Sequence, residues 1–136
     1  MTKLTKRVHV AVGVILNNNK QILLAKRHGH LHQGGKWEFP GGKVESDETV
    51  TQALIRELKE EVNITVNSSA PFMDISHNYP DKHVRLDIHL VTDFSGEAKG
   101  MEQQQIEWVS LQQLADYDFP EANKPILNRI LAEFEI

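Results

Sequence analysis

The sequence predicts a mixed α/β domain, a mixed β-sheet flanked by helices. Three observations predict it. Residues 8–16, "VHVAVGVIL", form a valine-rich apolar run that reads as a buried strand. Val84, Leu86, Ile88 and Leu90 alternate with Arg85, Asp87 and His89, the period of a half-buried strand. Val50, Leu54, Leu58 and Val62 recur at every fourth position, the apolar stripe of an amphipathic helix. Strands and helices follow one another without strict βαβ alternation, so a mixed sheet is expected.

The chain has 136 residues, which suits one domain spanning 1–136 and allows a substantial core. Lys3, Lys6 and Arg7 ahead of the first apolar run resemble a secretion signal, but "NNNKQ" follows where a small-residue cleavage site would be needed, and the strand reading is preferred. Asn17–Asn18–Asn19 reads as a turn and "KQILLAKR" as the second strand, giving an expected hairpin. Residues 28–36 form a loop containing Gly and His, and "WEFPGG" breaks regular structure at its proline and paired glycines.

Residues 45–62 read as a helix. Ser46, Asp47 or Thr49 could cap it, and Thr49 with Gln52 fits a capping box. "QIEWVSL" predicts a strand running into a helix start at Ser110, and the last helix is expected over about 123–134, with Pro125 in its first turn.

Composition narrows function. A net charge of −4 argues against a general binder of nucleic-acid polymers, which needs a basic surface. No run is long enough to span a membrane. Cysteine is absent, which removes disulfide and thiolate chemistry and fits a reducing, cytoplasmic setting. A monomer acting on a small anionic substrate is the expectation.

The helix raises a question of its own. Glu57, Glu60 and Glu61 sit beside its apolar stripe at spacings that bring like charges together, at a cost of about 0.2–0.5 kcal/mol per pair. Hard divalent cations take oxygen ligands, and Mg²⁺ commonly binds carboxylates together with substrate phosphates. The alternative is a solvated acidic face paired with Arg56 and Lys59.

The segment from Gly42 to Ile64 bears on that choice. It reads G-x5-E-x7-R-E-L-x-E-E, with Ile64 two residues further on. It resembles the Nudix box, Gly42, Glu48, Arg56, Glu57, Leu58, Glu60, Glu61 and Ile64 all matching; Asn63 stands where the family usually has glycine. The resemblance implies the Nudix α/β/α sandwich and Mg²⁺-assisted hydrolysis (Mn²⁺ is a substitute) of a nucleoside diphosphate linked to another group. It makes Glu57, Glu60 and Glu61 metal ligands, completed by the Gly41 carbonyl, with Glu48 and Arg56 as a structural ion pair. Glu57 is the first candidate for the base that activates water.

"KWEFPGGKVE" and "DFPEANKPIL" extend the likeness to Nudix hydrolases that act on 8-oxo-dGTP. That resemblance makes Asn123 the reader of the purine, puts Arg27 and Phe39 near the substrate, and makes Glu102 a further metal ligand or base. Lys82 stands where those relatives carry arginine, and a lysine cannot form the bidentate fork. Each has a plainer reading: a helix N-cap for Asn123, a solvated strand end for Arg27, core packing for Phe39, a surface charge for Glu102. An oxidised pyrimidine or canonical nucleoside triphosphate is the alternative substrate. His28, His30 and His32 suggest zinc, but a glycine-containing loop does not supply the fixed geometry zinc needs, and a loop flanking the substrate is preferred.

Overall fold

The computed structural model describes residues 6–29 and 35–134. The strands are β1 (Lys6–Ile15), β2 (Gln21–Lys26), β3 (Trp37–Glu38), β4 (Gly41–Lys43), β5 (Thr65–Tyr79), β6 (Lys82–Ser95) and β7 (Ile106–Ser110). The helices are α1 (Val50–Val62) and α2 (Lys124–Glu133). Short 3-10 turns cover Leu111–Asp116 and Glu121–Asn123. The helix expected at Ser110 is therefore a 3-10 turn. No helix is long and apolar enough to cross a membrane among the described residues.

Two sheets form the middle layer. One runs β4-β1-β6-β5, with β1 parallel to β6 and the other neighbours antiparallel; the second runs β3-β2-β7. The expected hairpin of the first two strands is thus corrected. Their ladder pairing is limited to an isolated antiparallel bridge between Leu16, just past β1, and Ile22, and the two strands belong to different sheets. The turn itself forms as expected, the Asn17 side chain accepting from the amides of Asn19 and Gln21.

Residue parity shows how the layers stack. Val12 and Val14 of β1, with Ile22 and Leu24 of β2, join Ile126 and Ile130 of α2 in one core cluster. Ala11 and Ile15, with Leu23, join Leu54, Leu58 and Val62 of α1 in the other. Both faces of the central strands are covered, which is why 8–16 reads as an unbroken apolar run. A Cβ on Gly13 would lie 2.9 Å from Leu58 Cδ1, so the glycine lets α1 settle close to β1. Leu58 is fully buried. We expect Leu58→Ala to lower unfolding free energy by about 2–5 kcal/mol, read from urea unfolding curves.

The capping box of α1 is complete: Thr49 Oγ1 accepts from the Gln52 amide, and Gln52 Oε1 accepts from the Thr49 amide. At the other end Asn63 adopts the left-handed conformation, φ 61°, and its amide donates to the Leu58 and Lys59 carbonyls. That is the conformation for which glycine is the common choice. Asn63 also donates from Nδ2 to the Glu97 carbonyl at 3.0 Å, a bond glycine cannot make.

Candidate active site

Three elements meet at the C-terminal half of α1. The glycines of β4 pass beneath it, and a Cβ on Gly42 would fall 2.1 Å from the Glu57 carboxyl carbon. The segment 97–104 closes the helix end, Lys99 and Met101 donating their amides to the carbonyls of Val62 and Glu61. These are among the carbonyls that a helix end leaves without an internal partner. Glu102 is thereby carried toward Glu61.

Arg56 organises the other side. Its Nε and Nη2 each donate to Glu48 at 2.8 Å, a bidentate fork, while Nη2 also reaches the Lys43 carbonyl at 3.1 Å. Nη1 donates to Glu57 Oε1 at 2.8 Å and more loosely to Glu60 at 3.5 Å. The guanidinium and the Glu45 amide hold the Glu48 carboxyl down to about 2. A carboxylate with a depressed folded value stabilises the fold above its ordinary value, near 4.5, and loses that contribution as pH falls toward about 2. The stability gap between the native chain and Glu48→Gln is therefore expected to close over that interval, measured by denaturant unfolding at a series of pH values.

The three box glutamates differ in their surroundings. Glu57 packs on Gly42 and pairs with Arg56, Glu60 is exposed, and Glu61 Oε2 accepts from the Gly41 amide at 3.2 Å. No three Asp, Glu, His or Cys side chains converge into a ready ligand set among the described residues. Glu61 is the unusual member. Burial, opposed by the Gly41 amide and reinforced by the charges of Glu38, Glu102 and Glu57, pushes its carboxyl up to about 8. A carboxylate withdrawn from water and facing like charges favours a proton or a cation beside it.

Glu61 and Glu102 line a cavity of about 90 Å³ with Arg27, His28, Glu38 and Gln104. Arg27 and Glu38 also border a larger cavity, about 290 Å³, whose other walls include Val10, Phe39, Gly41, Leu86 and Asn123. Arg27 and Glu38, paired at 2.8 Å, stand between the two spaces. Phe39 is buried and stacks on Phe119 with ring centroids 5.3 Å apart, so it is both core and cavity wall. Asn123 precedes α2 but makes no side-chain capping bond, leaving its amide to the cavity it lines.

Lys82 lies elsewhere. It sits at the turn between β5 and β6, its Nζ 5.3 Å from the centroid of the Tyr79 ring, and borders neither cavity. His30 and His32 fall outside the described residues. Sequence reasoning left Glu38 and Gln104 without roles. Glu38 lies within "KWEFPGG", yet its place between the cavities follows only from the pairing of β3 with β2.

The match to the NUDIX domain model runs over residues 11–129. The 8-oxo-dGTP diphosphatase of Escherichia coli (strain K12) is 42% identical over 125 residues, covering 92% of this chain and 97% of that protein. The CTP pyrophosphohydrolase of the same strain is 35% identical over 121 residues, covering 89% and 90%. A solved structure from work on MutT of Aliivibrio salmonicida and Vibrio cholerae superimposes with a TM-score of 0.84 at 43% identity, covering 94% of this chain and 99% of that one. The glutamate-bearing helix, its arginine clamp and the glycine strand beneath it carry the box, the family match extends from β1 into α2, and the chain accordingly belongs to the Nudix hydrolase family.

Proposed function

We propose that this chain, acting as one domain, hydrolyses 8-oxo-dGTP to 8-oxo-dGMP and pyrophosphate, clearing an oxidised precursor from the cytoplasmic nucleotide pool. The observation that carries the reading is the shared cavity of Asn123, Arg27 and Phe39, which meets the acidic cavity of Glu61 and Glu102 across the Arg27–Glu38 pair. A base reader and a phosphate-side acidic site then lie on either side of one arginine, as a nucleoside triphosphate requires. The named relatives with this activity support the substrate assignment.

The base chemistry is specific. Guanine offers two acceptors, N7 and O6, along the edge an amide would meet. Oxidation at C8 turns N7 into N7–H, so the edge becomes one donor and one acceptor. A single asparagine amide satisfies both. Against dGTP one polar group stays unpaired, which costs about 1–3 kcal/mol when buried.

On the phosphate side, Glu57, Glu60, Glu61, Glu102 and the Gly41 carbonyl would hold the cation. The donor set is all oxygen, and the withdrawn Glu61 carboxylate facing like charges fits a hard divalent ion, Mg²⁺ or Mn²⁺. When bound, the ion supplies charge neutralisation to the phosphate chain. Glu57, or else Glu102, accepts the proton of a water attacking the β-phosphorus, and the bond from that phosphorus to the oxygen of the departing 8-oxo-dGMP breaks. Arg27 faces the sugar or phosphate from the edge of the base cavity.

Turnover of 8-oxo-dGTP, dGTP and CTP at concentrations below KM tests the reading. A large preference for 8-oxo-dGTP is expected. Equal kcat/KM for dGTP would overturn the amide argument, and a preference for CTP would favour the second activity found among the relatives.

A further inference from the structure

We propose that Gln104 is a positioning residue that locks Glu102 to the end of α1, fixing the spacing of Glu102 and Glu61. The proposal rests on the reading above in which both glutamates serve the cation. Gln104 Nε2 donates to the Glu61 carbonyl at 3.1 Å, and Gln104 Oε1 accepts from the Glu102 amide at 2.9 Å. One side-chain amide thus joins the backbones of two residues that lie far apart in the chain. The glutamine amide presents a donor and an acceptor from one planar group, with a longer reach than asparagine.

The surrounding loop is built to hold that bridge. Gln103 is left-handed, φ 64°, and its amide donates to the Gly100 carbonyl at 3.1 Å. A Cβ on Gly100 would fall 2.1 Å from the Gln104 carbonyl oxygen, so only glycine permits this fold of the chain. Met101 adds its own amide to the Glu61 carbonyl at 3.0 Å. Glu102 itself is exposed. Its carboxylate is therefore located by the backbone beneath it, and Gln104 is the side chain that ties that backbone down.

Gln104→Leu keeps volume and deletes both bonds; Gln104→Ala serves if leucine disturbs folding. In the cation-free protein, the Glu102 amide is expected to exchange with solvent faster in either variant than in the native chain, while amides in the middle of α1 keep their protection. Titration of nucleotide-free protein with Mn²⁺, followed by spin resonance, is expected to show affinity about tenfold weaker, the lower range for losing a partner that orients a ligand. Glu102→Gln should weaken Mn²⁺ on its own, and adding Gln104→Leu to it should bring little further loss. An undiminished tenfold loss in the Glu102→Gln background, or unchanged exchange at Glu102, would overturn the proposal alone. Native Mn²⁺ affinity in Glu102→Gln itself would remove Glu102 from the cation site and the proposal with it.

Discussion

Glu57→Gln is expected to lower kcat for nucleotide hydrolysis by about 10²–10⁴, the range for removal of a positioned general base. The substitution suits the test because it is isosteric. The amide oxygen it introduces can still accept from Arg56 Nη1, as Glu57 does at 2.8 Å, and the side chain can still pack on Gly42. Thermal stability should stay near that of the native chain. Loss of the charge also weakens the hold on the cation, so the apparent Mg²⁺ requirement should rise together with the fall in kcat. If Glu102→Gln costs more in kcat than Glu57→Gln, the base is Glu102. Unchanged Mg²⁺-dependent turnover in both would remove both residues from the chemistry.

Asn123→Ala should separate base recognition from helix capping. As a base reader, Asn123 contributes to kcat/KM for 8-oxo-dGTP, and its loss should lower that value by about 1–3 kcal/mol, or roughly 5- to 150-fold. The value for dGTP should move much less, because one end of the amide has no match on guanine. Stability should hold, since the side chain makes no capping bond in α2. An N-cap would behave in the opposite way, costing about 0.5–2 kcal/mol of stability and leaving the preference for 8-oxo-dGTP unchanged. Steady-state kinetics on both nucleotides with a parallel melting curve distinguishes the two.

The parts legible in sequence were those set by local rules. The capping box of Thr49 and Gln52 and the apolar stripe of α1 depend on neighbours within one or two turns, and each is found in the structure. The strand β5 gave no such signal. Pro71 interrupts it, and its register against β6 shifts between Val66 and Ser68, Ser68 and Ala70, and Pro71 and Met73. The first and last of these shifts place the extra residue in β5, and each flips the face on which its following side chains lie, so the period of two is broken in the sequence. The separation of β1 from β2 was hidden for another reason. A turn between two apolar strands signals a hairpin whether or not the ladder continues past its first bridge. At the site, the box residues could be named from the resemblance of residues 42–64 to the family pattern. Their orientations could not, because Arg56 draws on Glu48, Glu57 and Glu60 together, and that competition exists only once loop and helix have met. Glu38 and Gln104 were illegible because their partners come from other segments of the chain.

The division of the middle layer into two sheets has a consequence for the larger cavity. Val10, Val12, Gly41 and Leu86 belong to one sheet, whereas Arg27 and Glu38 belong to the margin of the other. Between β1 and β2 the two sheets are joined by the isolated bridge of Leu16 with Ile22 and not by a continuous ladder. Widening this cleft therefore asks for repacked side chains and few broken backbone bonds.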